Sequence, residues 1–402
     1  MQRTIQKKSL CQFIRYHSTN RKLEGYEFYN KILGSPKYIV GPMVEQSELA
    51  WRILSRRYDA HLCYTPMFHS RLFSDPINGA KYRSEQWTTN AEDRPLIVQF
   101  CANDPETLLT AAKYVEHECD AVDLNLGCPQ YIAKKGRYGS FLQEDWETIY
   151  KLISTLHKEL IVPVTAKIRV FESVEKTIEY AKMIESAGAQ MLVVHGRVRE
   201  QKGHHTGLAD WTKIKAVKEA VNIPVIANGN ILYHDDLQHC LEQTGADGIM
   251  SAEGHLFNPA LFTPVSLPPM TYDIAQEYLE ICKQLKPITR PVIIKSHLFK
   301  IFHASFPVHT DLRDRLGVCF ELDEMVRITN ELTDRLKKEQ QAAVKEETVV
   351  VNDDNIRTYA PWRCQSLFRS KLNVDHQQEK NDSRRERAIE ALRAKKAKAI
   401  KL

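Results

Sequence analysis

The sequence predicts an α/β protein, a (β/α)8 TIM barrel followed by a smaller all-helical domain. Between Tyr38 and Ser251, short apolar runs of strand type alternate with longer segments whose apolar residues recur at helical spacing, the pattern of a parallel sheet built from βα units. Eight strand runs over about 230 residues suit a closed barrel better than a doubly wound sheet. After Pro264 the strand runs stop and only helical periodicity continues.

The eight strand runs are Tyr38 to Met43, Leu62 to Thr65, Leu96 to Phe100, Ala121 to Leu126, Val164 to Val170, Met191 to His195, Pro224 to Ala227 and Gly248 to Ser251. Leu49, Ile53 and Leu54, then Leu108, Leu109, Ala112 and Val115, then Ile178, Ala181, Met183 and Ile184 mark intervening helices. Asp104-Pro105-Glu106 and Ser173 with Lys176 read as helix starts, and Ala187-Gly188 as a helix end. Phe68 to Arg94 reads mostly as loop. Beyond the barrel, Tyr272 to Leu285, Val292 to Phe306 and Phe320 to Val344 read as helices. The expected organisation is a basic N-terminal extension (1–35), the barrel with its site (36–266), a helical domain (267–345), and a polar linker with a basic tail (346–402).

Composition narrows the function classes. With 402 residues, 43% apolar and 27% charged, the chain has ample material for a large core. No run approaches the roughly 18–20 apolar residues of a membrane-spanning helix, so no membrane partner is expected. Nine scattered cysteines without a C-x-x-C pair argue against a disulfide framework or a zinc site, so free thiols in a reducing compartment and no metal are expected. A net charge of +5 is too small by itself to announce a nucleic-acid binder. Residues 1 to 23 are basic and free of acidic side chains, which suits a mitochondrial presequence and equally a flexible arm on a cytoplasmic or nuclear protein. A monomer is expected. Asp382 to Leu402, with eight basic and three acidic residues, reads as a solvated tail.

Side chains alternate across a strand, so if Val164, Ala166, Ile168 and Val170 meet the surrounding helices, Thr165, Lys167 and Arg169 face the barrel interior or its rim. The same alternation turns Asp123 and Asn125 inward, and Val193, His195 and Arg197 with them, while Gln99 ends its strand. These polar residues fall at the C-terminal ends of their strands, where the βα loops of this fold carry active sites. Each alone has a structural explanation: a lysine can pair with Asp123, a histidine can cap a core, and an asparagine can serve a turn. Agreement across these strands favours a site.

Asn125-Leu126-Gly127-Cys128-Pro129 leaves the fourth strand through a glycine and a proline, which fixes a loop displaying Cys128 above the mouth. Lys134, Lys135, Arg137 and Tyr138 follow it, and Arg197, Arg199, Lys202, His204 and His205 follow the sixth strand, giving an electropositive mouth suited to a phosphate-rich substrate. Asn228-Gly229-Asn230 and Ser251-Ala252-Glu253-Gly254 follow the last two strands, where barrels commonly bind phosphate through backbone N–H groups. There is no Gly-x-Gly-x-x-Gly, Walker A or His-Glu-x-x-His sequence.

Gly41-Pro42-Met43, Val98-Gln99-Phe100, Asp123 through Pro129, Ala166-Lys167-Ile168-Arg169, His195-Gly196-Arg197 and Asn228-Gly229-Asn230, in this order and spacing, resemble the tRNA-dihydrouridine synthases over roughly residues 24 to 335. Val193 through Gly203 resembles the eukaryotic branch acting at tRNA positions 16 and 17. The resemblance implies FMN as cofactor, NADPH or NADH as reductant, tRNA as partner and 5,6-dihydrouridine as product. It places Gly41, Pro42 and Met43 along the flavin, Gln99 on its ring, and Lys167 and His195 at its pyrimidine end. It further places Asn228, Gly229, Asn230, Ala252 and Glu253 at the phosphate, and makes Cys128 the proton donor. Asn125, Lys134, Lys135, Arg137, Arg169, Arg197, Arg199 and Lys202 become the expected substrate contacts. Many family members carry an arginine where Glu253 stands. An anion there would repel phosphate, so its backbone is expected to make the contact.

The chemistry agrees with this resemblance. Reducing the uracil C5=C6 bond needs a hydride at C6, which no side chain supplies, and a proton at C5, which a thiol with pKa near 8.5 still carries at neutral pH. A flavin barrel acting on a free small pyrimidine shares the flavin site but leaves the basic loops and the helical domain unexplained. A non-catalytic RNA-binding barrel leaves the flavin out.

Overall fold

The computed structural model describes residues 21–203, 206–343, 349–352 and 356–367. The basic residues before Arg21, His204 and His205 of the mouth, and the tail from Asp382 lie outside the described residues. Eight parallel strands close into a barrel: β1 (Tyr38–Val40), β2 (Leu62–Tyr64), β4 (Leu96–Cys101), β5 (Ala121–Leu126), β6 (Val164–Arg169), β7 (Leu192–His195), β8 (Val225–Asn228) and β9 (Gly248–Ser251). Each pairs with the next, and β1 closes the ring by pairing with both β2 and β9. A two-residue strand, β3 (Phe68–His69), adds to the end of β4.

The strands obey the expected alternation. Val122, Leu124, Val164, Ala166 and Ile168 join one core with helix residues such as Leu152, Ile153 and Ile184. Ile39, Tyr64, Ile97, Val193, Ile226 and Met250 fill a second core inside the barrel. The first helix, α1 (Gly25–Lys31), contributes Phe28 and Tyr29 to this inner core, joined by Ile32 and Leu33 just beyond it. Residues 25–33 therefore do not belong to a basic extension as expected from 1–35. Their aromatic and aliphatic side chains cover barrel interior that would otherwise meet water.

Outside the barrel lie α2 (Leu49–Arg57), α3 (Ser70–Phe73), α4 (Gly79–Gln86), α5 (Pro105–Lys113), α6 (Tyr131–Gly136), α7 (Trp146–Glu159), α8 (Val174–Ser186), α9 (Trp211–Ala220), α10 (His234–Thr244) and the short α11 (Glu253–Phe257). Asp104 and Ser173 cap α5 and α8, accepting the backbone N–H of Thr107 at 2.9 Å and of Lys176 at 3.0 Å. Such caps contribute about 1 kcal/mol each.

The segment read as loop after β2 holds β3, α3 and α4, whose short lengths gave little periodicity to detect. It ends on a buried ion pair. Arg52 of α2 donates to Asp93 from Nε and, at 2.6 Å, from Nη2, while its other hydrogen bonds go to the carbonyls of Ser47 and Thr88. Arg56 adds a second guanidinium to Asp93 at 3.2 Å. Asp93→Ala leaves both cations without their carboxylate, so a loss of about 3–5 kcal/mol is expected in urea unfolding. An unchanged midpoint would show that the pair holds nothing together.

The helical domain consists of α12 (Thr271–Gln284), α13 (Pro291–Ile301), α14 (Thr310–Val318) and α15 (Leu322–Ala342) around a core of Tyr278, Leu298, Phe302, Met325, Ile328 and Leu332. α13 ends before the expected Phe306, and α14 was not anticipated. The core also takes in Trp51 of α2 and, from the segment expected as a polar linker, Trp362 and Cys364. Thr271 donates its backbone N–H to the Trp362 carbonyl at 2.7 Å. That part of the linker is packed because it carries apolar side chains among its polar ones.

Candidate active site

Strand register brings the polar strand ends to one mouth. Gln99 lies opposite Asp123 and Asp123 opposite Thr165; Asn125 lies opposite Lys167, Arg169 opposite His195, and His195 opposite Asn228. From the barrel interior a hydrogen-bonded chain runs outward in a single sense. Asp123 accepts from Gln99 Nε2 at 2.8 Å, Gln99 Oε1 accepts from Asn125 Nδ2 at 2.8 Å, and Asn125 Oδ1 accepts from the Cys128 backbone N–H at 2.9 Å. Thr165 Oγ1 donates to the other Asp123 oxygen at 2.6 Å. Burial pushes the Asp123 carboxyl up to about 6, although Thr165, Gln99 and Lys167 pull against it. Because a carboxylate accepts only, the chain fixes which end of each amide faces which neighbour.

Cys128 is held from both sides. Its carbonyl accepts from Ser140 through N–H at 3.1 Å and Oγ at 2.9 Å. Gly139, with φ +63°, makes that turn possible: a Cβ there would stand 2.8 Å from the Cys128 carbonyl oxygen. The thiol is half-buried, and desolvation raises its pKa above the ordinary value against the opposing pull of Arg169, Lys167 and Lys202. It is therefore a protonated thiol at neutral pH, suited to giving a proton and unsuited to nucleophilic attack.

Lys167 donates to Asn228 Oδ1 at 2.8 Å, and Asn228 Nδ2 in turn donates to the Met250 carbonyl at 2.9 Å. Desolvation, then the neighbouring Arg169, lowers the Lys167 ammonium to about 8 in spite of Asp123. His195 Nε2 lies 3.0 Å from Arg197 Nη1. Arginine only donates, so Nε2 accepts and the ring proton sits on Nδ1. Burial first, then Lys167, Arg169 and Arg197, hold His195 well below the usual histidine range, which keeps it neutral.

Three expected substrate contacts have other work. Arg169 is buried, with its guanidinium donating to the carbonyls of Gly127 at 3.0 Å, Val198 at 2.7 Å and Gln201 at 2.8 Å. It ties the cysteine loop to the loop after β7. Arg197 binds the Gly207 carbonyl and Asn230 Oδ1, and Asn125 is engaged by the chain to Cys128. Their guanidinium and amide groups meet loop oxygens and N–H groups left open where the strands end. Lys134, Lys135 and Arg137 are exposed on α6 and at its C-cap. Lys202 donates to the Pro129 carbonyl at 3.0 Å and, like Arg199, lies over the Phe141 ring.

At the other side of the mouth, Gly229 and Asn230 both have positive φ, and the Asn230 side chain is bonded to Ala209 on both of its polar atoms. Gly41 packs beside Ala252, which precedes α11. Sequence reasoning turned Asp123 inward without giving it a role, and passed over Ser140 and Gly139, whose signal was the Gly-Ser pair a dozen residues after Cys128.

A closed parallel barrel whose mouth carries a fixed cysteine loop, a half-buried lysine and a neutral histidine defines an enzyme of the (β/α)8 class, working at the C-terminal face. The chain belongs to the dihydrouridine synthase family, whose model, described as "Dihydrouridine synthase (Dus)", matches residues 38–347. A tRNA-dihydrouridine(16/17) synthase [NAD(P)(+)] of Saccharomyces cerevisiae is 48% identical over 374 residues, 87% of this chain and 87% of that protein. One from Schizosaccharomyces pombe bearing the same name is 53% identical over 312 residues, 74% of this chain and 77% of that protein. A human tRNA-dihydrouridine(20a/20b) synthase [NAD(P)+]-like protein is 35% identical over 253 residues, 62% of this chain and 77% of that protein.

Proposed function

We propose that this protein reduces uridine to 5,6-dihydrouridine at positions 16 and 17 of tRNA, with FMN as resident cofactor and NADPH or NADH as reductant. The observation that carries the reading is the hydrogen-bonded chain from Asp123 through Gln99 and Asn125 to the Cys128 backbone, which holds a protonated thiol at the mouth that also carries Lys167 and His195. The choice of positions rests on identity: 48% and 53% to relatives named for 16/17, against 35% to one named for 20a/20b.

The residues present fit FMN. Gly41 leaves its backbone bare where a Cβ would come 3.0 Å from Met250 Sδ and 3.3 Å from the Ala252 Cβ, so the loops after β1 and β9 approach closely with a side-chain-free backbone between them. Lys167 keeps donors beyond its one bond to Asn228. Gly41, Pro42 and Met43 would line the flavin and Lys167 would hold its ring; Gln99, fully buried and bonded at both amide ends to Asp123 and Asn125, keeps at most its second Nε2 hydrogen for that ring, and the neutral His195 would offer Nδ1–H at the pyrimidine end. Asn228, Gly229, Asn230, Ala252 and Glu253 would hold the phosphate through backbone N–H groups after β8 and β9. The chemistry that FMN would supply when bound and reduced is a hydride for C6 of uracil.

The rest is done by side chains of this chain. Lys167 places a fixed cation where negative charge gathers on the ring. Cys128 gives its proton to C5; the S–H bond breaks, the C–H bond forms, and Arg169, Lys167 and Lys202 stand near the resulting thiolate until solvent reprotonates it. The target base must leave its stack to reach the mouth, and Lys134, Lys135 and Arg137 offer exposed cations to the phosphates around it.

The test is the purified flavoprotein with NADPH and an unmodified tRNA transcript. Dihydrouridine is expected at positions 16 and 17 and absent from transcripts with cytidine there. Equal turnover of free uridine monophosphate would favour a small-pyrimidine reductase instead.

A further inference from the structure

The loop leading from Gly41-Pro42-Met43 into α2 is gripped by the helical domain. Arg290, at the start of α13, pairs with Glu45 at 2.6 Å. Ser296 and Lys300 both donate to Gln46 Oε1, the lysine at 2.6 Å. Glu48 is buried and held by His297 at 3.0 Å and by Tyr278 of α12 at 2.7 Å. Three loop side chains separated by 230 to 254 residues from their partners are thus fixed by one helix and its neighbour. α11, which begins at Glu253, packs against α13, and the Glu253 carboxylate is the larger of the two opposite charges, ahead of Glu48, that act on the Lys300 ammonium.

We infer that Lys300 is a positioning residue of the cofactor site: it fixes Gln46, and so the Met43 loop, and offsets the negative charge of Glu253 where the phosphate binds. This rests on the FMN reading above. It makes the helical domain a wall of the cofactor pocket, and it accounts for an acidic residue at a position that must tolerate a phosphate. The lysine's hydrogen bonds to Gln46 Oε1, Ser296 Oγ and the Ser296 carbonyl hold its charge between α13 and the loop.

The experiment dilutes the holoprotein and follows FMN release by the rise in flavin fluorescence, in wild type, Lys300→Met, Glu253→Gln and the double variant. Lys300→Met is expected to weaken FMN retention about tenfold. Glu253→Gln is expected to improve retention by a factor at least about threefold larger in the Lys300→Met background than in wild type, the signature of coupled charges. A Lys300→Met protein retaining FMN within about twofold of wild type overturns the inference, as does an equal effect of Glu253→Gln in both backgrounds. If Lys300→Met fails to fold, Gln46→Met tests the loop contact alone and is expected to weaken retention, with wild-type retention overturning it. A wild-type protein that binds no FMN refutes the cofactor reading itself, a result distinct from these.

Discussion

Cys128→Ala keeps its flavin, and NADPH reduces that flavin at the wild-type rate, while dihydrouridine formation falls by about 10²–10⁴-fold. The split is expected because the substitution removes only the acid. The loop is held through the backbone, with the residue-128 N–H on Asn125 and its carbonyl on Ser140, and neither contact involves the thiol. Cys128→Ser should recover little, since an alcohol is a far weaker acid. The pH profile carries a sign as well. The active form is the protonated thiol, and burial raises its pKa, so the thiol limb is flat through neutrality and falls only as alkaline pH removes the proton. A full product yield from Cys128→Ala, measured by nucleoside mass spectrometry, would exclude it as the proton donor.

Lys167→Met yields protein that retains little flavin and, saturated with FMN, turns over about 10²–10³-fold more slowly. This cation donates to Asn228, and desolvation lowers it to about 8. Its charge is present below that pH and is lost above it. FMN uptake by the flavin-free protein should therefore weaken as pH rises past about 8 in wild type and lose that step in Lys167→Met. Normal FMN content and turnover in the variant would remove Lys167 from the site.

The barrel and its mouth were readable because alternation is a local property. Val164 to Val170 declares which side chains face the helices, so Lys167 had to face inward, and Gly127 with Pro129 marked the loop that lifts Cys128. What escaped depends on partners remote in sequence. Arg169 was placed on the correct face, yet its ties to the carbonyls of Gly127, Val198 and Gln201 exist only after two loops meet. Lys300 and Gln46 are 254 residues apart, and nothing in either neighbourhood announces the other. α1 was hidden because a short helix beside basic residues reads as an arm until the open barrel it covers is known, and Trp362 and Cys364 were hidden in the same way by polar flanks.

The most direct measurement mixes holoprotein, reduced beforehand with stoichiometric NADPH under anaerobic conditions, with an unmodified tRNA transcript and follows flavin absorbance and dihydrouridine together. The flavin is expected to reoxidise at the rate at which one dihydrouridine appears per flavin, and in Cys128→Ala both signals should stall together. Flavin that stays reduced in the presence of tRNA while wild-type protein still forms dihydrouridine would contradict a flavin and a thiol acting together at this mouth.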